Sequence, residues 1–229
     1  MNSIYSFEIK IVYDNICHEK GFLMGFGFSA LIYNQFTHNY LLFDTGGKSE
    51  VLFHNIKLFN VELSDIKKII ISHSHFDHAG SLRDIYSRNP EIQIYVSKSD
   101  EDAFKSAYPE AMIYGASSLM EIEKNIFSSG NFDWSHINEH ALFLKTHEDE
   151  IIILVGCAHP GVEQFLLKAK EMDYDIKAII GGFHGFHQYS YLEDIEIIAA
   201  CHCTRYRDAI KAKFPKQFKQ VCVGTSLRF

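Results

Sequence analysis

Four side chains able to bind a metal ion fall within six residues of this chain. They are His73, His75, Asp77 and His78, in the run Ile69-Ile70-Ile71-Ser72-His73-Ser74-His75-Phe76-Asp77-His78-Ala79-Gly80. In an extended segment alternate side chains share a face, so His73 and His75 can offer their imidazoles to one cation. Asp77 and His78 come where the chain must turn toward a following helix, and can converge on a second position beside the first. Imidazole and carboxylate suit zinc, iron(II) or manganese(II). Two such ions about 3.5–4 Å apart can activate a water and clamp a displaced oxygen. One histidine in such a place would read as part of a solvated turn; the H-x-H-x-D-H order after an apolar run favours a metal site.

The elements that must position this loop are readable on both sides. The apolar run before it is β-type, and residues 81–88 have helical character, stopped by Asn89-Pro90. Upstream, residues 4–12, 25–33 and 41–43 read as strands with antiparallel connections. Asp44-Thr45-Gly46-Gly47 ends the third. It reads as an Asx-type turn needing glycine and, compatibly, as a carboxylate placed to orient a metal-binding histidine. Val51, Leu52, Ile56 and Phe59 predict a helix over 49–60, and residues 92–96 a buried strand.

Residues 97–138 are the least regular stretch, with a helix expected over 99–107. Phe104, Tyr108, Tyr114, Phe127, Phe132 and Trp134 are spread through it. Local core is the favoured reading of these aromatics; a variable pocket wall that sets substrate choice is the other.

Regularity returns at residues 141–144 and 151–155. The second of these strands ends in Gly156-Cys157-Ala158-His159-Pro160-Gly161 and feeds a helix over 162–172. A strand over 176–180 ends in Gly181-Gly182-Phe183-His184, and residues 191–200 read as a helix plus the start of a short strand that delivers Cys201-His202-Cys203-Thr204. Ligands collect at the carboxyl ends of strands in open α/β sheets, so His159, His184 and His202 should face the 73–78 loop. His159 and His202 are expected ligands; for His184, hydrogen bonding, substrate contact and ligation stay open. His18, His38, His54, His136, His140, His147 and His187 have no such setting. Cys201 and Cys203 flank His202 on the opposite face of a strand, which favours burial over ligation.

With 229 residues and 47% hydrophobic content, one large domain covering 1–229 is expected. The net charge of −7 argues against nucleic acid as a partner. The first residues lack the basic and apolar regions of a signal peptide, and no run reaches transmembrane length, so no membrane partner is expected. Five scattered cysteines are unlike a secreted disulfide framework and fit a cytoplasmic protein.

The S-H-S-H-F-D-H-A-G segment resembles the signature of the metallo-β-lactamase superfamily. That resemblance implies an α/β fold, a four-layer αββα sandwich. Together with G-F-G-F-S, L-L-F-D-T-G, G-C-A-H-P-G, I-I-G-G-F-H and C-H-C-T, the segment is similar to one branch, the 7,8-dihydropterin-6-yl-methyl-4-(β-D-ribofuranosyl)aminobenzene 5′-phosphate synthase-like proteins. The similarity covers residues 22–229, apart from 97–138. Two departures stand out. Arg205, Tyr206 and Arg207 follow C-H-C-T where the branch usually has glycine, and no bridging aspartate is evident after the second-half strand, where Cys157 and His159 stand.

The expected chemistry is a binuclear metal-dependent hydrolase acting on a small anionic ester or phosphoester. His73, His75 and His159 would hold one ion, and Asp77, His78 and His202 the other. Zinc is the first choice of metal, with iron or manganese as alternatives. Asp77, His184 and Arg205 are the candidate catalytic residues, the last two to position substrate or protonate a leaving group. A dihydropterin-transferring synthase and a redox-linked or non-catalytic metal protein are the alternatives. A β-lactam antibiotic hydrolase is disfavoured by the lack of an export signal.

Overall fold

The computed structural model describes residues 5–229. Its first half runs through β1 (Phe7–Tyr13), β2 (Ser29–Asn34), β3 (Asn39–Phe43), α1 (Ser49–Leu58), β4 (Ile66–Ile70), α2 (Phe76–Ala79), α3 (Leu82–Arg88), β5 (Gln93–Ser97), α4 (Glu101–Ala107) and β6 (Met112–Ala116). Next come β7 (Met120–Glu123), β8 (Ile126–Ser128), β9 (Phe132–Trp134), β10 (Ile137–Glu139), β11 (Leu142–Lys145) and β12 (Glu150–Val155). The chain closes with α5 (Val162–Lys170), β13 (Asp175–Gly182), β14 (Ile197–Cys201), α6 (Arg207–Lys213) and β15 (Ser226–Arg228).

Two sheets carry the molecule. The first has the order β15-β1-β2-β3-β4-β5-β6 and the second β14-β13-β12-β11-β8-β7. From β3 to β6 the first sheet is parallel, and so is the second from β12 to β14. Parallel neighbours need crossovers, which the helices supply.

Three apolar layers follow from this arrangement. Phe7, Ile9, Phe43, Ile70, Leu142, Leu154 and Ile180 fill the space between the sheets. Leu52 and Ile56 of α1, Leu82 and Ile85 of α3 and Phe104 of α4 pack on the outer face of the first sheet. Val162, Phe165 and Leu166 of α5 and Ile210 of α6 cover the second. The result is helix, sheet, sheet, helix, the four-layer αββα sandwich expected from the sequence.

Several boundaries differ from the sequence expectation. The first strand was expected from residue 4, which lies outside the described residues. The second begins only at Ser29, because residues 25–28 form a loop against the metal-competent segment. There Phe28 N–H donates to Asp77 O (3.2 Å), and Gly27 holds φ +142° where a Cβ would strike that carbonyl. The helix expected within 191–200 is a single 3₁₀ turn, Tyr189–Leu192. The residues beyond it are taken by β14, whose ladder with β13 runs from Ala178↔Ile197 to Gly182↔Cys201. Pairing inside a buried sheet outweighs the weak local helical preference. Residues 97–138 are woven through both sheets, as β6 at one edge, β7 and β8 at the other, and the β9–β10 hairpin between.

Candidate metal centre

All the loops bearing candidate donors leave the carboxyl ends of parallel strands. Asp44 follows β3, residues 71–78 follow β4, Cys157 and His159 follow β12, His184 follows β13 and His202 follows β14. The loop after β4 is pinned from the second sheet. His140, fully buried, donates its Nε2–H to Ile71 O (2.8 Å), and its backbone N–H donates to Ser72 O (3.0 Å).

Two donor groups result. His73, His75 and His159 form one, and Asp77, His78, Cys157 and His202 the other, the donor atoms of each lying within 4.8 Å of one another. The groups touch: the rings of His73 and His78 are 4.1 Å apart between centroids. His184, whose ring centroid is 5.1 Å from that of His159, is exposed and outside both groups. Arg205 is exposed too, its backbone N–H bonded to His184 O (2.8 Å).

Each buried imidazole has its Nδ1 against an oxygen. Asp44, with φ 58° and no exposure, takes the Nδ1–H of His78 (2.7 Å). Its two oxygens also accept the N–H and the O–H of Ser72 (2.6 and 2.7 Å). With its hydroxyl proton given to Asp44, Ser72 Oγ can only accept from His73 Nδ1 (2.9 Å). Glu139 Oε2 takes the Nδ1–H of His159 (2.8 Å), and Asn15 Oδ1 that of His202 (3.2 Å). The four Nε2 lone pairs are therefore left free, which is the tautomer a metal ligand requires.

Those lone pairs point at one another. His78 Nε2 and His202 Nε2 are 3.2 Å apart, and Asp77 Oδ2 is 3.6 and 3.2 Å from them. A divalent cation would satisfy all three acceptors at once. The donor set fits a metal on that ground.

The titration directions agree. Burial holds His73 well below the usual histidine range and takes His78 down to about 3, so both are neutral. Burial pushes Asp77 up, but the hydrogen bond and the charge of His202 outweigh it and leave the carboxyl low. Burial also opposes ionisation of Glu139, yet the hydrogen bonds from the ring and the backbone of His159 bring it down to about 2. For Asp44 burial wins, and its carboxyl is raised.

Sequence reasoning did not find Asn15, Ser72 or Glu139 and left Cys157 without a role. A carboxylate directly before a buried strand is the only local signal for Glu139. Nothing local marks Asn15, which meets His202 from 187 residues away. Of the flanking cysteines, Cys201 is buried between the sheets, whereas Cys203 is half-buried with Sγ 3.9 Å from Cys157 O. Around the mouth stand Phe26 and Phe76, 69% and 68% exposed, and Trp134, whose ring lies nearly parallel to that of His159 at 5.9 Å.

The profile of the Metallo-beta-lactamase superfamily matches residues 25–147. A 7,8-dihydropterin-6-methyl-4-(beta-D-ribofuranosyl)-aminobenzene-5'-phosphate synthase from Methanocaldococcus jannaschii is 28% identical, over 82% of this chain and 84% of its own. Among solved structures, the metallo-beta-lactamase fold protein YhfI from Bacillus subtilis superposes with a TM-score of 0.69 at 13% identity, covering 97% of this chain and 99% of that one. A diphosphatase from the PhnP family gives a TM-score of 0.63 at 11% identity, covering 97% and 98%. These two likenesses concern the fold.

Proposed function

Because this chain belongs to the metallo-beta-lactamase superfamily, we propose that it is a metal-dependent hydrolase acting on a small anionic ester or phosphoester. The observation that carries this reading is the convergence of the Nε2 lone pairs of His73, His78, His159 and His202, each of these four imidazoles locked by an oxygen behind it. His73, His75 and His159 would hold one ion, and Asp77, His78 and His202 the second. Zinc suits both sets, with iron or manganese next. When bound, the pair supplies Lewis acidity and lowers the pKa of water toward neutrality.

The chain's own groups do the rest. Asp77, a carboxylate at the edge of the site, orients the attacking water by accepting its hydrogen bond. His184, exposed beside His159, meets substrate at the mouth and donates a proton to the leaving oxygen. Arg205 sits beside it and offers charge to an anionic group. The β9–β10 hairpin forms the pocket wall through Trp134. No helix among the described residues is long and apolar enough to cross a membrane, and a cytoplasmic setting would keep the thiols reduced.

A second reading is favoured by one specific finding, the similarity to the pterin-phosphate synthase across most of both chains. In that reading Phe26, Phe76 and Trp134 would receive a flat heterocycle and Arg205 a phosphate.

Elemental analysis of anaerobically purified wild type and His202→Ala, followed by a screen of phosphoesters, lactones and pterin phosphates, tests both. Two ions in the wild type, one in His202→Ala and hydrolysis lost with it is the expected result. Two ions and full turnover in His202→Ala would show the ligand assignment to be wrong. Turnover confined to pterin phosphates, with a new bond formed, would favour the synthase.

A further inference from the structure

The second donor group contains a side chain that the proposed ligand set leaves out. Cys157 Sγ stands 3.2 Å from His78 Nε2 and within the same 4.8 Å cluster as Asp77 and His202. It is 4% exposed. Its direction is imposed by the backbone. Glu139 Oε1 accepts the N–H groups of Cys157 and Ala158 (2.9 and 2.8 Å), and Oε2 that of His159 (2.8 Å). Ala158 takes the left-handed φ of 55°, and this turn sends Cys157 into one donor group and His159 into the other.

A buried thiol can satisfy itself by donating S–H to one acceptor. Here it faces a set that includes His78 Nε2, His202 Nε2 and Asp77 Oδ2, which one thiol proton cannot serve. We propose that Cys157 is a thiolate donor to the second ion, beside Asp77, His78 and His202, an inference that rests on the two-ion reading above. On binding, the S–H bond breaks, the proton leaves to solvent and a sulfur–metal bond forms, with no change of oxidation state. The softer donor selects zinc or iron(II) over manganese or magnesium at this position. Cys203, near but outside the donor group, is the internal control.

The test is an anaerobic cobalt(II) titration of the full metal-free chain, followed by absorption in the near ultraviolet, where thiolate-to-cobalt charge transfer appears. Wild type should take two ions and gain the band with one of them. Cys157→Ser should lose the band and keep the His73, His75 and His159 ion, while Cys203→Ser keeps both ions and the band. Two bound ions without a band in the wild type would overturn the proposal, a reading that needs no variant to fold. A band that survives Cys157→Ser and vanishes in Cys203→Ser would overturn it equally. A single ion with the band would sink the two-ion reading and leave the thiolate standing; a single ion without it would sink both.

Discussion

The two donor groups touch, yet they are built differently. The first, His73, His75 and His159, takes two members from one short loop and is backed by a carboxylate, Glu139, that also holds three backbone N–H groups. The second draws Asp77 and His78 from the β4 loop, Cys157 from the β12 loop and His202 from the β14 loop. Its histidines are held unequally, His78 by the buried Asp44 and His202 by the neutral amide of Asn15. A carboxylate raises the basicity of the imidazole it holds, and an amide does so less. The first position, built from three imidazoles, should be the tighter for an imidazole-seeking ion, and the second, with mixed donors drawn from three loops, the one whose occupancy responds to changes in the protein.

The strongest way to break this contrast is Asp44→Ala. It strands the Ser72 N–H and O–H and the His78 Nδ1–H in a fully buried place, each left group costing about 1–3 kcal/mol. Chemical denaturation should show a loss of several kcal/mol. Dialysis against a chelator should strip the second ion first, at about 10–100-fold lower affinity. Equal weakening of both ions would erase the distinction.

Glu139→Gln acts on the other side. The amide cannot accept at both ends, so the turn at Ala158 and the His159 tautomer both suffer, and the first ion should weaken by about 10–100-fold. The pH dependence has a definite sign. Glu139 is depressed in the folded chain from 4.5 to about 2. Its contribution to stability is therefore present above pH 4.5 and lost as pH falls toward 2. Acid denaturation of metal-free wild type should steepen in that window, and Glu139→Gln should flatten it. An unchanged acid limb would remove Glu139 from the account.

Asn15 sharpens the comparison at smaller amplitude. Asn15→Ala frees the His202 ring and the Gly27 N–H, and the second ion should weaken by about 10-fold, near the low end for a lost orienting partner. The second ion of Asn15→Asp should bind at least as tightly as in wild type. Isothermal titration of the second ion distinguishes them, and identical behaviour of the two would deny the amide its role.

The smallest effect is expected at the rim. Trp134 is nearly half exposed and stacks on His159 from outside, so Trp134→Ala should leave metal content intact and shift stability by about 0.5 kcal/mol or less. If Trp134 belongs to the pocket wall, KM for a turned-over substrate should rise with little change in kcat. A fall in metal content instead would make it part of the metal support.

Much of this arrangement was legible before the fold. The H-x-H-x-D-H spacing located four donors, and the rule that ligands gather at strand ends placed His159 and His202 opposite them. Asp44 was readable both as an Asx-type turn residue and as an orienting carboxylate, the second with support from the resemblance to the superfamily. His184 was left open, and it stands exposed beside His159 rather than inside either group. Residues 191–200 misled because a short apolar stretch is too brief for its period to tell a helix from a buried strand, and only the β13 ladder decides.

The sequence by itself determined the local pieces: apolar runs of strand length, glycine-bearing turns after them, and donor side chains in those turns. Such features depend on backbone preference and on period, which act over a few residues. Only the tertiary structure decided the tautomers and the second donor group. Asn15 reaches His202 across the two sheets, Cys157 meets His78 from 79 positions away, and His140 crosses from the second sheet to hold Ile71 and Ser72. Those contacts exist because two sheets pack through one apolar layer with their parallel strand ends aligned, and no period along the chain encodes which loops then face each other.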